Sequence, residues 1–121
     1  MRIRLLLVDD EALVRRGLRM CIAGEPNLDV VGEAEEGAEA IALVAALHPD
    51  VVVMDVRMRG MDGLSATREI LARSPRTRVV VLSMQDDART RSAAKEAGAA
   101  AFVGKGEGIG RLLEVIRELA G

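Results

Sequence analysis

Three short aliphatic runs constrain this chain more than any other feature: "RLLLV" at 4–8, "VVVM" at 51–54 and "VVVL" at 79–82. A strand with one wet face alternates apolar and polar residues. These runs do not alternate, so both faces of each strand must be covered, as happens in a parallel sheet flanked by helices. "LDVVGEA" and "AAFVG" supply two further strand-like segments. Helical patterns lie between and after the strands. "EALVRRGLRMCIAG" sets Val14, Leu18, Cys21 and Ile22 on one face. "GAEAIALVAAL" runs up to Pro49, which biases His48 away from helix, and "GLSATREILARS" stops before Pro75. "DARTRSAAKEAG" is ended by Gly98, and "IGRLLEVIRELAG" carries an apolar stripe of Ile109, Leu112, Leu113, Ile116 and Leu119. Five strands alternating with five helices predict a doubly wound α/β domain with a parallel sheet and right-handed crossovers. The expected strand order is 2-1-3-4-5, the common one for five-stranded sheets of this type. Residues 1–121 read as one domain, with no repeat, low-complexity tract or linker.

Composition narrows the function. Half of the residues are hydrophobic, yet the chain has one Phe and no Trp or Tyr, so its core is aliphatic. The net charge of −2 lacks the basic footprint of a duplex binder. A lone cysteine, Cys21, allows no internal disulfide and fits a reducing compartment. No apolar run approaches the roughly 20 residues of a membrane span. The chain passes from Met1 straight into a strand-like run, without a leader pattern, so a cytoplasmic location is expected.

The strand ends carry the chemistry. The first strand ends on Asp9 and Asp10, the third on Asp55, the fourth on Ser83, and Lys105 follows the fifth. Neighbouring parallel strands lie about 4.8 Å apart, so the order above would crowd three carboxylates into one crevice. Crowded like charges repel and raise one another's pKa, and a cation removes the conflict. Oxygen ligands with open water positions suit Mg²⁺. A hydroxyl and a lysine beside such a metal read as a phosphoryl site.

Plainer readings stand beside this one. Asp10 alone could cap the helix that follows, Asp55 could be a turn acid, and Ser83 could be a simple end-of-strand hydroxyl. Phe102 could be core only. Met54, Met58 and Met61 read as packing, and "RRGLR" and "RSPRTR" as solvated faces.

The whole chain resembles a response regulator receiver domain of two-component signalling. "LLLVDDEALVRRGL", "VVVMDVRMRGMDG", "VVVLSM" and "AFVGK" stand in that family's order and spacing, and together they are highly specific. The resemblance implies a CheY-like fold and is strongest to receivers of LuxR/NarL-type regulators. It implies that Asp55 is the phosphoacceptor, that Asp10 ligates Mg²⁺ directly and Asp9 largely through water, and that the backbone carbonyl of Arg57 adds a ligand. Ser83 and Phe102 would be switch residues, with Lys105 the partner of the phosphoryl oxygens. Phosphorylation by a histidine kinase would repack the face of helix 4, strand 5 and helix 5 and favour a homodimer. It implies a phosphoacceptor that supports its own phosphorylation and dephosphorylation, not an enzyme in the ordinary sense. DNA would be reached only through an output domain outside these residues. Two departures bear on loop rigidity: Arg59 and Gly106 stand where the family often has proline. With Gly106, Gly108 and Gly110 in sequence, "KGEGIG" is expected to be mobile before phosphorylation. The rivals are a phosphorylation-independent interaction module, a flavodoxin-like protein and an aspartate-nucleophile phosphatase. The lack of an aromatic pair to sandwich a flavin, and of a spaced second aspartate after the first strand, speak against the last two.

Overall fold

The structure, a computed structural model, describes residues 2–121. Its strands are β1 (Ile3–Val8), β2 (Leu28–Ala34), β3 (Val51–Met54), β4 (Arg78–Ser83) and β5 (Ala101–Gly104). The helices are α1 (Ala12–Ala23), α2 (Gly37–Leu47), α3 (Gly63–Arg73), α4 (Ala88–Glu96) and α5 (Ile109–Ala120), with a 3-10 turn at Lys105–Glu107. The strands form one parallel sheet of order β2-β1-β3-β4-β5, as the sequence predicts.

The aliphatic runs explain the layering. Successive strand residues point to opposite faces. Leu5, Leu7, Val51, Val53, Val80 and Leu82 therefore pack against Ile22 of α1 and Leu112, Val115 and Ile116 of α5. Leu6, Val8, Val52, Met54, Val79 and Val81 pack against α2, α3 and α4 through Ala40, Val44, Ala66, Ile70 and Ala94. One run of four aliphatics thus feeds two cores, each about one side chain thick.

Two helical stripes differ from expectation. Cys21, placed on the buried face of α1, is exposed, and the face turns inward through Ile22 with Leu18 beside it. In α5, Ile109 at the first helical position is exposed, and the buried residues are Leu112, Val115 and Ile116. His48 leaves the helical region before Pro49, as predicted, with φ +49°, and closes α2 by donating its N–H to the Val44 carbonyl at 3.0 Å.

Candidate functional site

Pairing of β1 with β3 sets the site. The strands align Val8 with Met54, and one further bond continues the ladder: the Asp55 N–H donates to the Val8 carbonyl at 2.9 Å. On the other side, the Asp9 N–H donates to the Ala34 carbonyl of β2 at 3.0 Å. Both acids are thereby held by main-chain bonds at the carboxyl edge of the central strands. Asp9 and Asp55 are buried, and Asp10 is half-buried. One carboxylate oxygen from each of Asp9, Asp10 and Asp55 lies within 4.8 Å of the others.

Lys105 reaches into this cluster from beyond β5. Its Nζ lies 3.2 Å from Asp9 Oδ2 and 3.9 Å from Asp55 Oδ1. Burial pushes the Asp55 carboxyl up to about 6; the Asp9 and Asp10 charges push the same way, and the Lys105 ammonium opposes them. Asp55 is nonetheless mostly ionised at neutral pH. Ser83 is buried at the end of β4, in register with Gly104 of β5, and its hydroxyl oxygen accepts the Gln85 N–H at 3.0 Å. The structure thus brings Asp9, Asp10, Asp55, Ser83 and Lys105 to one edge of the sheet.

The remaining predicted residues lie around them. Arg57 is exposed in the loop after Asp55. Phe102 is half-buried in β5 and packs against the core beside α2, α3 and α4. Asp10 does not cap α1: the N-cap position is Glu11, with no side-chain cap bond. The local turn belongs instead to Asp9, whose Oδ1 accepts the Glu11 N–H at 2.9 Å.

The donor set fits a small, hard cation. Mg–O bonds of about 2.1 Å allow ligand oxygens up to about 4.2 Å apart across an octahedron, so a cluster of this width suits direct bonds from some carboxylates and a water-bridged contact to another.

Sequence reasoning missed two supports. Arg15, one turn into α1, donates Nη1 to the Asp9 carbonyl and pairs through Nε with Glu33 of β2 at 3.0 Å, which ties the acid-bearing loop to an edge strand. Gly63 opens the predicted helical run with no further role there, and in the structure it abuts Asp55. A charged residue one turn behind an acid pair was the available signal for the first. The "MDG" at the start of α3 was the signal for the second.

Known proteins resemble this chain in sequence and in fold. The family profile described as response regulator receiver domain matches residues 5–117. The response regulator GacA of Pseudomonas aeruginosa is 39% identical over 97% of this chain and 55% of its own length. The chain therefore spans about half the length of the curated relatives it matches. A LuxR-family two-component response regulator from Aurantimonas sp. is 34% identical, with a TM-score of 0.95 over 99% of this chain and 86% of that one. The receiver domain of the putative response regulator NarL from Mycobacterium tuberculosis is 32% identical, with a TM-score of 0.93 over 98% of this chain and 96% of that one.

Proposed function

The chain belongs to the response regulator receiver family, and on that premise we propose that it takes a phosphoryl group onto Asp55 from the phosphohistidine of a sensor histidine kinase. The observation that carries this reading is the meeting of Asp9, Asp10, Asp55 and Lys105 at the carboxyl edge of β1 and β3.

The Asp55 carboxylate forms the new P–O bond in line with the breaking P–N bond of the donor, and the electron pair of that bond returns to the imidazole. Asp10, Asp55 and the Arg57 carbonyl, with Asp9 through water, would hold Mg²⁺, which would neutralise charge on the phosphoryl oxygens. The chain's own part is positioning: the strand ladder fixes where Asp55 stands, and Lys105 offers an ammonium within reach of the group it would carry. Water then attacks the phosphorus of the aspartyl phosphate, releasing inorganic phosphate and the free carboxylate. The domain thus supports its own phosphorylation from small donors and its own dephosphorylation.

Signalling follows from contacts available only when Asp55 is phosphorylated. Ser83 and Lys105 would bind the phosphoryl oxygens, drawing the β4–α4 loop inward and turning Phe102 toward the space released. The face of α4, β5 and α5 would then pair two chains. In the cytoplasm, the readout would be a DNA-binding output domain of LuxR type outside these residues, a reading supported by the Aurantimonas relative.

The test is intact mass after incubation with Mg²⁺ and acetyl phosphate. One phosphoryl mass in the parent, absent in Asp55→Asn, is the expected result. No mass gain in the parent would leave a phosphorylation-independent interaction module.

A further inference from the structure

Away from the acids, one side chain joins four parts of the molecule. Arg91 lies near the start of α4, and its guanidinium grips both oxygens of Asp86 in the β4–α4 loop, Nε to Oδ1 and Nη2 to Oδ2, the latter at 3.0 Å. The same Nη2 donates to Glu107 Oε2 in the 3-10 turn at 3.2 Å. The guanidinium carbon lies 4.6 Å from the centre of the Phe102 ring. Glu107 Oε2 also accepts the Gly104 N–H at 2.6 Å. Gly104 makes room for Asp86, since a Cβ there would lie 2.7 Å from Asp86 Oδ2.

These contacts fasten the loop that follows Ser83 to the turn that begins at Lys105. Arginine suits the place: its planar fork matches a carboxylate and its face stacks on an aromatic ring, which a lysine does not reproduce. The charged members are partly open to solvent, with side-chain exposures of 44% for Arg91, 40% for Asp86 and 36% for Glu107. Exposed pairs are individually weak and salt-sensitive. The fastening is therefore one that a competing contact can open.

We propose that Arg91 and Glu107 are positioning residues whose clamp on Asp86 and Gly104 holds Lys105 and Phe102 in the arrangement seen here, and that opening of this clamp is part of the switch. The proposal deepens the phosphoacceptor reading and rests on it. A phosphoryl group that draws Ser83 inward moves Asp86 relative to Gly104, and the Arg91 contacts are then the ones that give way. Arg91 thus opposes, from outside the site, the contacts that Ser83 and Lys105 make within it.

The test compares the parent with Arg91→Met, which keeps an apolar stem over Phe102, and Arg91→Lys, which keeps the charge but not the fork. Amide exchange is read first without metal or phosphodonor. Both variants should exchange about five to ten times faster across Gly104 to Glu107, the ratio given by loss of one net hydrogen bond, with β1 and β3 unchanged. Phosphoryl uptake from acetyl phosphate with Mg²⁺ should then be faster in both variants than in the parent, since the arrangement that opposes it is weakened. Unchanged exchange at Gly104, or uptake no faster than the parent's, overturns the proposal. A parent that gains no phosphoryl mass refutes the acceptor reading instead, and the exchange comparison then decides the clamp by itself.

Discussion

The carbonyl oxygen of Asp55 occupies the space where a side chain on Gly63 would stand; a Cβ there would lie 1.8 Å from it. The Gly63 N–H donates to the Val56 carbonyl at 2.8 Å, so α3 starts directly against the loop that carries the acid. Asp62 fixes that start by accepting the Leu64 and Ser65 N–H groups, both at 2.9 Å.

Gly63→Ala should therefore push Asp55 or α3 out of place. The obstacle is backbone, which does not swing aside, so the expected loss is about 2 kcal/mol or more of stability. Urea unfolding measures that loss, and intact mass should show reduced phosphoryl uptake. A variant equal to the parent in both would mean that the loop relaxes freely.

The raised Asp55 pKa gives a signed pH dependence. The folded chain holds this proton up to about 6 against an ordinary 3.8, because of burial first and the Asp9 charge second. Between those values the folded state binds more protons than the unfolded one, so this group's contribution to stability declines as pH rises and stays low above 6. In metal-free buffer at neutral pH, Asp55→Asn should be more stable than the parent by on the order of 1–3 kcal/mol. The advantage should shrink toward zero below about pH 4, where the Asp55 carboxyl is protonated in both states. Denaturant titrations across pH measure it, and an advantage that grows on acidification would contradict this account.

Asp10→Ala should weaken Mg²⁺ binding by roughly tenfold, about 1.4 kcal/mol. The chain has no Trp or Tyr to report binding, so calorimetry or NMR shifts must serve. Equal affinity in parent and variant would remove Asp10 from the ligand set.

Lys105→Ala should still take up phosphate, because the proposed nucleophile and metal ligands remain. The variant should fail to transmit the event. Phosphorylation should slow amide exchange across Gly104 to Gly110 in the parent and leave it unchanged in the variant. Equal slowing in both would show that coupling runs through another group. Loss of the ammonium also leaves Asp9 without its partner at 3.2 Å, so the metal-free variant should be less stable than the parent.

The strand ends that carry Asp9, Asp10, Asp55 and Ser83, with Lys105 just past the last, were legible in the sequence because they are marked by where aliphatic runs stop; the strand order that brings them together came from the order common to sheets of this type. The clamp was not. Asp86, Arg91 and Glu107 lie in different segments, each reads as a solvated charge, and only the closeness of β4 and β5 brings them together. "KGEGIG" shows the same limit. Counting glycines does not reveal that the Glu107 carboxylate accepts the Gly104 N–H or that Lys105–Glu107 forms a 3-10 turn. Cys21 and Ile109 were misplaced because periodicity gives a helix's apolar side but not which members of it the packing covers.

The bond from the Asp55 N–H to the Val8 carbonyl bears on how the domain would endure the proposed switching. β1 and β3 are interior strands, with partners on both sides and helices on both faces. Such segments open only when the whole domain unfolds, while exposed loop contacts open alone and often. The Asp55 carboxylate is therefore anchored in the part that survives every partial opening, and the Arg91 contacts belong to the part that does not. Under the proposed phosphorylation cycle, the second would open and close without disturbing the first, so the domain would reset without refolding.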